Sequence, residues 1–345
     1  MSGSSGGGRL ASYVAMRVVL AIPMVMVLLT LVFLLMRVAP GDPIQAALGG
    51  HLTPEQLAER QAAAGYDRSL MEQYFIYFGE VFSGNLGTSV TDGRTVGQIL
   101  AENGLPTLVL TLASLIVALV IGLPLGILSG RFQSSGLDTG VRIFGIVTYA
   151  APVFFIGLLA QLFFGVYLGW LPTSGQASPL VQALVEPITN VVLFDAIAAG
   201  DWDSIKDALI HLVLPSVTLG LLVSGVLIRL LRVNMIQTLK SDYIEAATAR
   251  GISGPRIVIA HGFRNAMVPV ITVMGLQVAM LLGGAVLTEQ TFNWPGIGSV
   301  LVQYLNNRDY AAVQGIITVF ALVVVAISVL IDVITGLIDP RVRFD

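Results

Sequence analysis

Six stretches of this chain carry no formal charge: residues 18–36, 104–130, 143–185, 208–228, 266–288 and 311–331. A helix needs roughly 20 apolar residues to cross a hydrocarbon layer about 30 Å thick. Five of the stretches are about one crossing long. The third is longer, but Pro172, Thr173, Ser174 and Gly175 interrupt it, which leaves one span ending near Gly169. The pattern therefore predicts an all-α polytopic membrane protein with six transmembrane helices, at 14–37, 104–130, 143–169, 208–230, 265–288 and 311–336. The first run exceeds a signal-peptide core of about 7–15 residues and no small-residue cleavage site follows it, so an uncleaved span is expected there.

Composition agrees: of 345 residues, 55% are hydrophobic and 11% charged, against about 25% charged in soluble domains. Charge placement then sets the orientation. With six spans and the N-terminus inside, Arg9, Arg17, Arg131, Arg142, Arg229, Arg232, Lys240, Arg250, Arg256, Arg264, Arg341 and Arg343 lie on the cytoplasmic side. Only Arg37, Arg60, Arg68, Arg94, Lys206 and Arg308 lie outside. Positive charge is enriched on the cytoplasmic side of spans, so both termini are expected there. A seventh span at 180–202 would put the cluster from Arg229 to Arg264 outside, and Glu186, Pro187 and Asp195 interrupt that segment. It is expected to lie on the outer surface. The chain thus divides into a disordered tail (1–13, opening on the low-complexity MSGSSGGG), a first span (14–37), an external insert (38–103) and a five-helix core (104–340). In the insert, Thr53 is expected to cap a helix over residues 54–82.

Enzyme chemistry finds little support. The three histidines, His51, His211 and His261, have no metal-ligand spacing, and no cysteine is available for a thiolate site. The phosphate-cradling pattern G-x-x-x-x-G-K-[ST] is absent, so no ATP site is expected in this chain. The span interiors are almost free of charge, which argues against an ion-coupled carrier. Asp332, near the end of the last span, is expected to pair with Arg341 or Arg343. Gly122, Gly126 and Gly130 fall four apart on one face of the second span, where small residues let helix backbones approach closely. Pro124 and Pro152 predict kinks.

The segment between the fourth and fifth spans, the loop 233–263, stands apart. Asp242 and Glu245 are spaced as a capping box, YIEAATAR continues as helix, and Gly251 stands at the C′ position. Ser253 or Gly254 begins a second helix with Pro255 in its first turn. A helix of about eight residues does not persist alone in water, so a partner must hold it; the alternative is an amphipathic helix on the membrane surface.

From Glu245 to Pro269 this segment resembles the EAA loop of bacterial ABC importer permeases: Glu-Ala-Ala, three residues, then Gly. HGFRNAMVPV, GGAVLTEQTFNWPGIG, NNRDYAAVQG and DPRVRF resemble the dipeptide/oligopeptide/nickel permease family. APGDP, GNLGTSV and LPTSG resemble its branch with an external insert after the first span, although Asn85 stands where that branch carries an acid. The resemblance implies a non-catalytic subunit in the bacterial inner (plasma) membrane that forms half of a translocation pathway, for di- or oligopeptides or a nickel chelate. Its implied partners are a second permease, two ATPase subunits that bind ATP and Mg, and an extracytoplasmic substrate-binding protein; nucleic acid is not among them. Asp242, Tyr243, Ile244, Glu245, Ala246, Ala247, Arg250 and Gly251 would couple to the ATPase. Ser253, Pro255, His261, Arg264, Asn265 and Pro269 would shape the loop. No residue is assigned to substrate, and a self-sufficient gradient-driven transporter is the alternative from the residues alone.

Overall fold

The computed structural model describes residues 5–38, 53–63 and 67–338, and among them helices carry the whole architecture. In chain order these are α1 (Ser5–Val38), α2 (Pro54–Ala63), α3 (Leu70–Phe82), α4 (Val96–Arg131), α5 (Gly136–Ala150) and α6 (Val153–Ala160). They continue with α7 (Pro179–Leu184), α8 (Val192–Ala199), α9 (Trp202–Leu239), α10 (Asp242–Ala249), α11 (Gly254–Arg256), α12 (Arg264–Phe292), α13 (Ile297–Asn306) and α14 (Tyr310–Ile338). Two π-helical segments, Gln161–Tyr167 and Ile257–Phe263, extend α6 and join α11 to α12. APGDP, His51 and DPRVRF, with Arg341 and Arg343, lie outside the described residues.

Among the described residues, five helices are long and apolar enough to cross a membrane: α1, α4, α9, α12 and α14. The expected third span is not straight. It starts at Gly136, and α5 and α6 meet at 106°. Pro152 lacks an N–H to continue the ladder, and it holds Ala151 in an extended conformation (ψ 136°). The expected kink is a right-angled break.

The centre of the bundle is the pair α4–α9. Both exceed a bilayer's thickness: at 1.5 Å per residue, their 36 and 38 residues span about 54 and 57 Å. Gly122 faces Leu227, Gly126 faces Leu231 and Gly130 faces Met235, a constant sequence offset that makes the two helices parallel. A Cβ on these glycines would lie 2.9, 2.9 and 2.5 Å from the Cβ of those partners. Gly220 of α9 returns the arrangement, lying against the Ser114 carbonyl and Val117. The small-residue face expected in the second span is thus a real seam. Because the two helices run parallel, the chain between them must return to its starting end, and the bent pair carries it there. The segment 180–202 forms only the short α7 and α8, neither of which crosses.

Around this pair, α9 also packs α12 and α5, and α14 packs α1 and α12. Leu110, Leu219, Val223, Leu227, Leu231, Met235, Val270 and Leu281 form the main core. Helix already begins at Ser5, so the disordered tail expected over 1–13 does not hold from that residue on. The helix expected over 54–82 is two helices. Thr53 does cap the first, exchanging hydrogen bonds with Gln56 in both directions. Asp332 pairs with Arg17 of α1, which lies alongside α14, at 3.2 Å; Arg341 and Arg343, the partners expected for it, lie outside the described residues.

Candidate functional site

The loop between α9 and α12 is built as a terminated unit. Its N-cap is Ser241, not Asp242: the Ser241 carbonyl accepts from the Ile244 and Glu245 N–H groups, and its hydroxyl donates to Thr238 O. Asp242 and Glu245 are therefore first and fourth helical residues, one place off a capping box. They still favour the positive end of the helix dipole. At the other end Arg250 is the C-cap and Gly251 takes φ +77°, the left-handed conformation that glycine adopts without steric cost. Gly251 N donates to Thr248 O and Ile252 N to Ala247 O, the paired bonds of a Schellman motif. Ser253 then caps α11, with Pro255 in its first turn.

The two faces of α10 differ. Ile244 and Ala247 are buried in the chain's own structure, and α10 rests on the π segment Ile257–Phe263. Tyr243 is half exposed, its hydroxyl accepting from Asn265 Nδ2 at 2.7 Å. Asp242, Glu245, Ala246 and Arg250 are exposed. Ile244 and Ala247, expected to meet a partner, instead anchor the helix from behind, as their three-residue spacing allows. His261 is half buried in the π segment, beside Gly262, whose missing side chain admits Leu239. Arg264 and Pro269 are exposed on α12.

Sequence reasoning passed over the polar ties that hold this region. Arg232 grips Asp138 with two bonds, Nε to Oδ1 at 2.6 Å and Nη2 to Oδ2 at 2.8 Å. The same carboxylate accepts from the Ser129 hydroxyl and the Ser134 N–H. One buried acid thus fixes the end of α4, the turn after it and α9. The signal was present only as an acid just after a span, with no hint of its partner.

At the opposite end of the bundle a second cluster closes the structure. Glu289 of α12, fully buried, accepts from Thr107 Oγ1 at 2.6 Å and Ser299 N at 2.9 Å. Thr107 in turn accepts from Ile297 N, and Trp294 Nε1 donates to Pro106 O. Gly296, the N-cap of α13, has no side chain to offer, so residues of α4 and α12 satisfy that helix start. Nearby Asp309 accepts from Ser89, Thr91 and the Ala312 N–H. Asn85, in the expected acid's place, accepts from Gly87 N at 3.2 Å. Asp92, Arg94, Glu102 and Tyr304 form a further network. Partial burial pushes the Asp92 carboxyl up, but bonds from Ser89, Arg94 and Tyr304 outweigh it and hold it well below the usual carboxylate range. Burial and the bond to Asp92 push the Tyr304 phenol up to about 12. A cavity of about 580 Å³ opens beside this end, lined by Asn103, Gln176, Asp195, Trp294 and Gln303 among others.

Residues 122–344 match the family described as binding-protein-dependent transport system inner membrane component, and residues 10–102 match its N-terminal counterpart. The chain belongs to this permease family. Over 96% of its length the permease is 38% identical to the di/tripeptide transport system permease protein DppB of Pseudomonas aeruginosa, covering 98% of that protein. It is 34% identical to the dipeptide transport system permease protein DppB of Escherichia coli K12, with 96% and 98% coverage. It is equally 34% identical to the glutathione transport system permease protein GsiC of Salmonella choleraesuis, with 96% and 99% coverage. The fold matches a chain of the inward-facing MetNI methionine ABC transporter with a TM-score of 0.53 at 16% identity, over 70% of this permease and 97% of that chain. The permease is accordingly a multi-pass membrane subunit of an ABC importer, a family whose permease subunits are non-catalytic.

Proposed function

We propose that this permease forms half of a translocation pathway for short peptides in the bacterial inner membrane, with α10 as the element that receives ATPase motion. Its relatives named for dipeptide, tripeptide and glutathione transport support the cargo class. Six crossings with both termini in the cytoplasm follow from the charge distribution and agree with the parallel α4–α9 pair. In this reading a homologous second permease supplies the other half. Two ATPase subunits hold ATP and Mg, and an extracytoplasmic binding protein selects and delivers the cargo.

The observation that carries the proposal is the division of α10 into an anchored back and a presented front. Ile244 and Ala247 lock the helix to its own chain, so a push on Asp242, Glu245, Ala246 or Arg250 moves the π segment and α12 with it. The Asp138–Arg232 tie holds neighbouring α4, α5 and α9 together, so displacement passes to the bundle as a rigid-body motion. The experiment is Glu245→Lys in the assembled importer. This exposed substitution leaves the chain folded in the membrane, and it is expected to abolish peptide uptake while ATP hydrolysis persists. Uptake at the wild-type rate would refute the coupling role of α10.

A further inference from the structure

The segment after the first span is expected to stand in water, yet α3 does not stand clear of the bundle. Tyr74 places its hydroxyl 2.9 Å from Thr30 Oγ1 of α1, and Tyr77 places its own 2.7 Å from Thr318 Oγ1 of α14. Arg37 closes the crossing segment of α1, so Thr30 lies seven residues, about 10 Å, within it. Thr318 lies eight residues, about 12 Å, inside the start of α14. Phe33 of α1 packs both tyrosine rings, and Arg37 Nε donates to Gln73 Oε1 above them. Helix α3 is therefore held at a depth within the spans, not above them.

Its remaining surface is sorted by polarity. At 100° per residue Met71, Phe75 and Phe82 share one stripe, adjoining Tyr74, and they are 70%, 67% and 69% exposed. Glu72 and Glu80 are exposed on a different edge. On α1, Val27, Leu31 and Leu34 lie beside Thr30 in the helical register and are about half exposed, so two apolar surfaces adjoin. An amphipathic helix lying in a membrane interface shows this division, and aromatic side chains are enriched at that level.

We propose that α3 is immersed in the leaflet where α1 ends, with Met71, Phe75 and Phe82 against lipid acyl chains and Glu72 and Glu80 toward water. Lipid is favoured over a second protein because the stripe continues the bilayer-facing flank of α1 and sits at the depth its hydroxyl contacts fix. The insert thereby becomes part of the membrane-embedded body, a shelf beside the α1–α14 pair.

The chain contains no cysteine, so single substitutions can be labelled uniquely. Nitroxides would be attached at Met71→Cys, Phe75→Cys, Phe82→Cys and, as the aqueous reference, Glu72→Cys. They would be read in the complete importer, with cysteine-free partner subunits, in phosphatidylethanolamine/phosphatidylglycerol vesicles. Collisions with oxygen, which partitions into lipid, are expected to exceed those with a water-soluble paramagnetic chelate at 71, 75 and 82, with the order reversed at 72. Chelate-dominated collisions at 71, 75 and 82 would place the helix in water and overturn the proposal. Suppression of both quenchers there would overturn it in favour of a protein partner. Uptake by the labelled importer tests the transport reading separately, since the collision data do not depend on cargo or coupling.

Discussion

The glycine seam between α4 and α9 yields the sharpest energetic prediction. Alanine at Gly130 would bring its Cβ to 2.5 Å from Met235 Cβ and 3.2 Å from Arg232 O; alanine at Gly126 would meet Leu231 Cβ at 2.9 Å. Carbon atoms pack best at about 3.5–4.0 Å. A Cβ cannot rotate away, so the helices must separate by roughly 1 Å at either position. Overpacking of this kind costs about 1–3 kcal/mol. Gly140 of α5 is the internal control, because a Cβ there meets nothing within 4 Å. In a water-exposed helix, glycine to alanine gains about 0.5–1 kcal/mol. In a bilayer the unassembled helices stay helical, so the gain at Gly140 is smaller but keeps its sign. Equilibrium unfolding in mixed micelles, followed by circular dichroism, should rank Gly140→Ala at or above wild type and Gly126→Ala and Gly130→Ala below it. The double variant should lose less than the sum, because one separation of the helices relieves both clashes. If both seam variants matched Gly140→Ala, close approach of α4 and α9 would be refuted.

Two further outcomes follow from the polar ties. Arg232→Met should cost about 3–5 kcal/mol in the same unfolding measurement, since it strands the buried Asp138 carboxylate, and adding Asp138→Leu should recover part of that loss; a double variant no better than the single would contradict this. Asp92 is held below its ordinary value, near 3.9, so its contribution is fully present above that pH and fades as pH falls through the depressed folded value. Asp92→Asn should therefore be less stable than wild type at neutral pH, with the two stability curves converging in acid; a gap of constant size would show that Asp92 acts through packing alone.

Much of this structure was legible from the chain because local rules govern it. Uncharged runs of crossing length became helices, glycines four apart became a seam, and Gly251 fell where only a left-handed residue ends α10 well. What escaped depends on distant partners. Pro152 announced a break, but its angle reflects packing that brings Gly157 against Phe292 and Gln161 onto the Thr173 and Thr291 carbonyls. Ser241 and Asp242 are equally capable of capping, and the point where α9 ends decides between them. Asp138, Glu289 and Asp309 meet partners 94, 182 and 220 residues away, a separation no periodicity encodes. Tyr74 and Tyr77 lay in the insert expected to be external, while the threonines that receive them sat unmarked in apolar runs.

The start of α13 has a consequence for biogenesis. A helix of ten residues is marginal by itself, and the groups that complete its first turn belong to Thr107 and Glu289, which meet only after α4 and α12 have packed. During synthesis α4 is made long before α12 exists, so until then the Thr107 hydroxyl has only the Asn103 carbonyl, one turn back in its own helix, to bond. The order of α13 thus depends on the spans having assembled: a chain with mispaired helices would show it frayed.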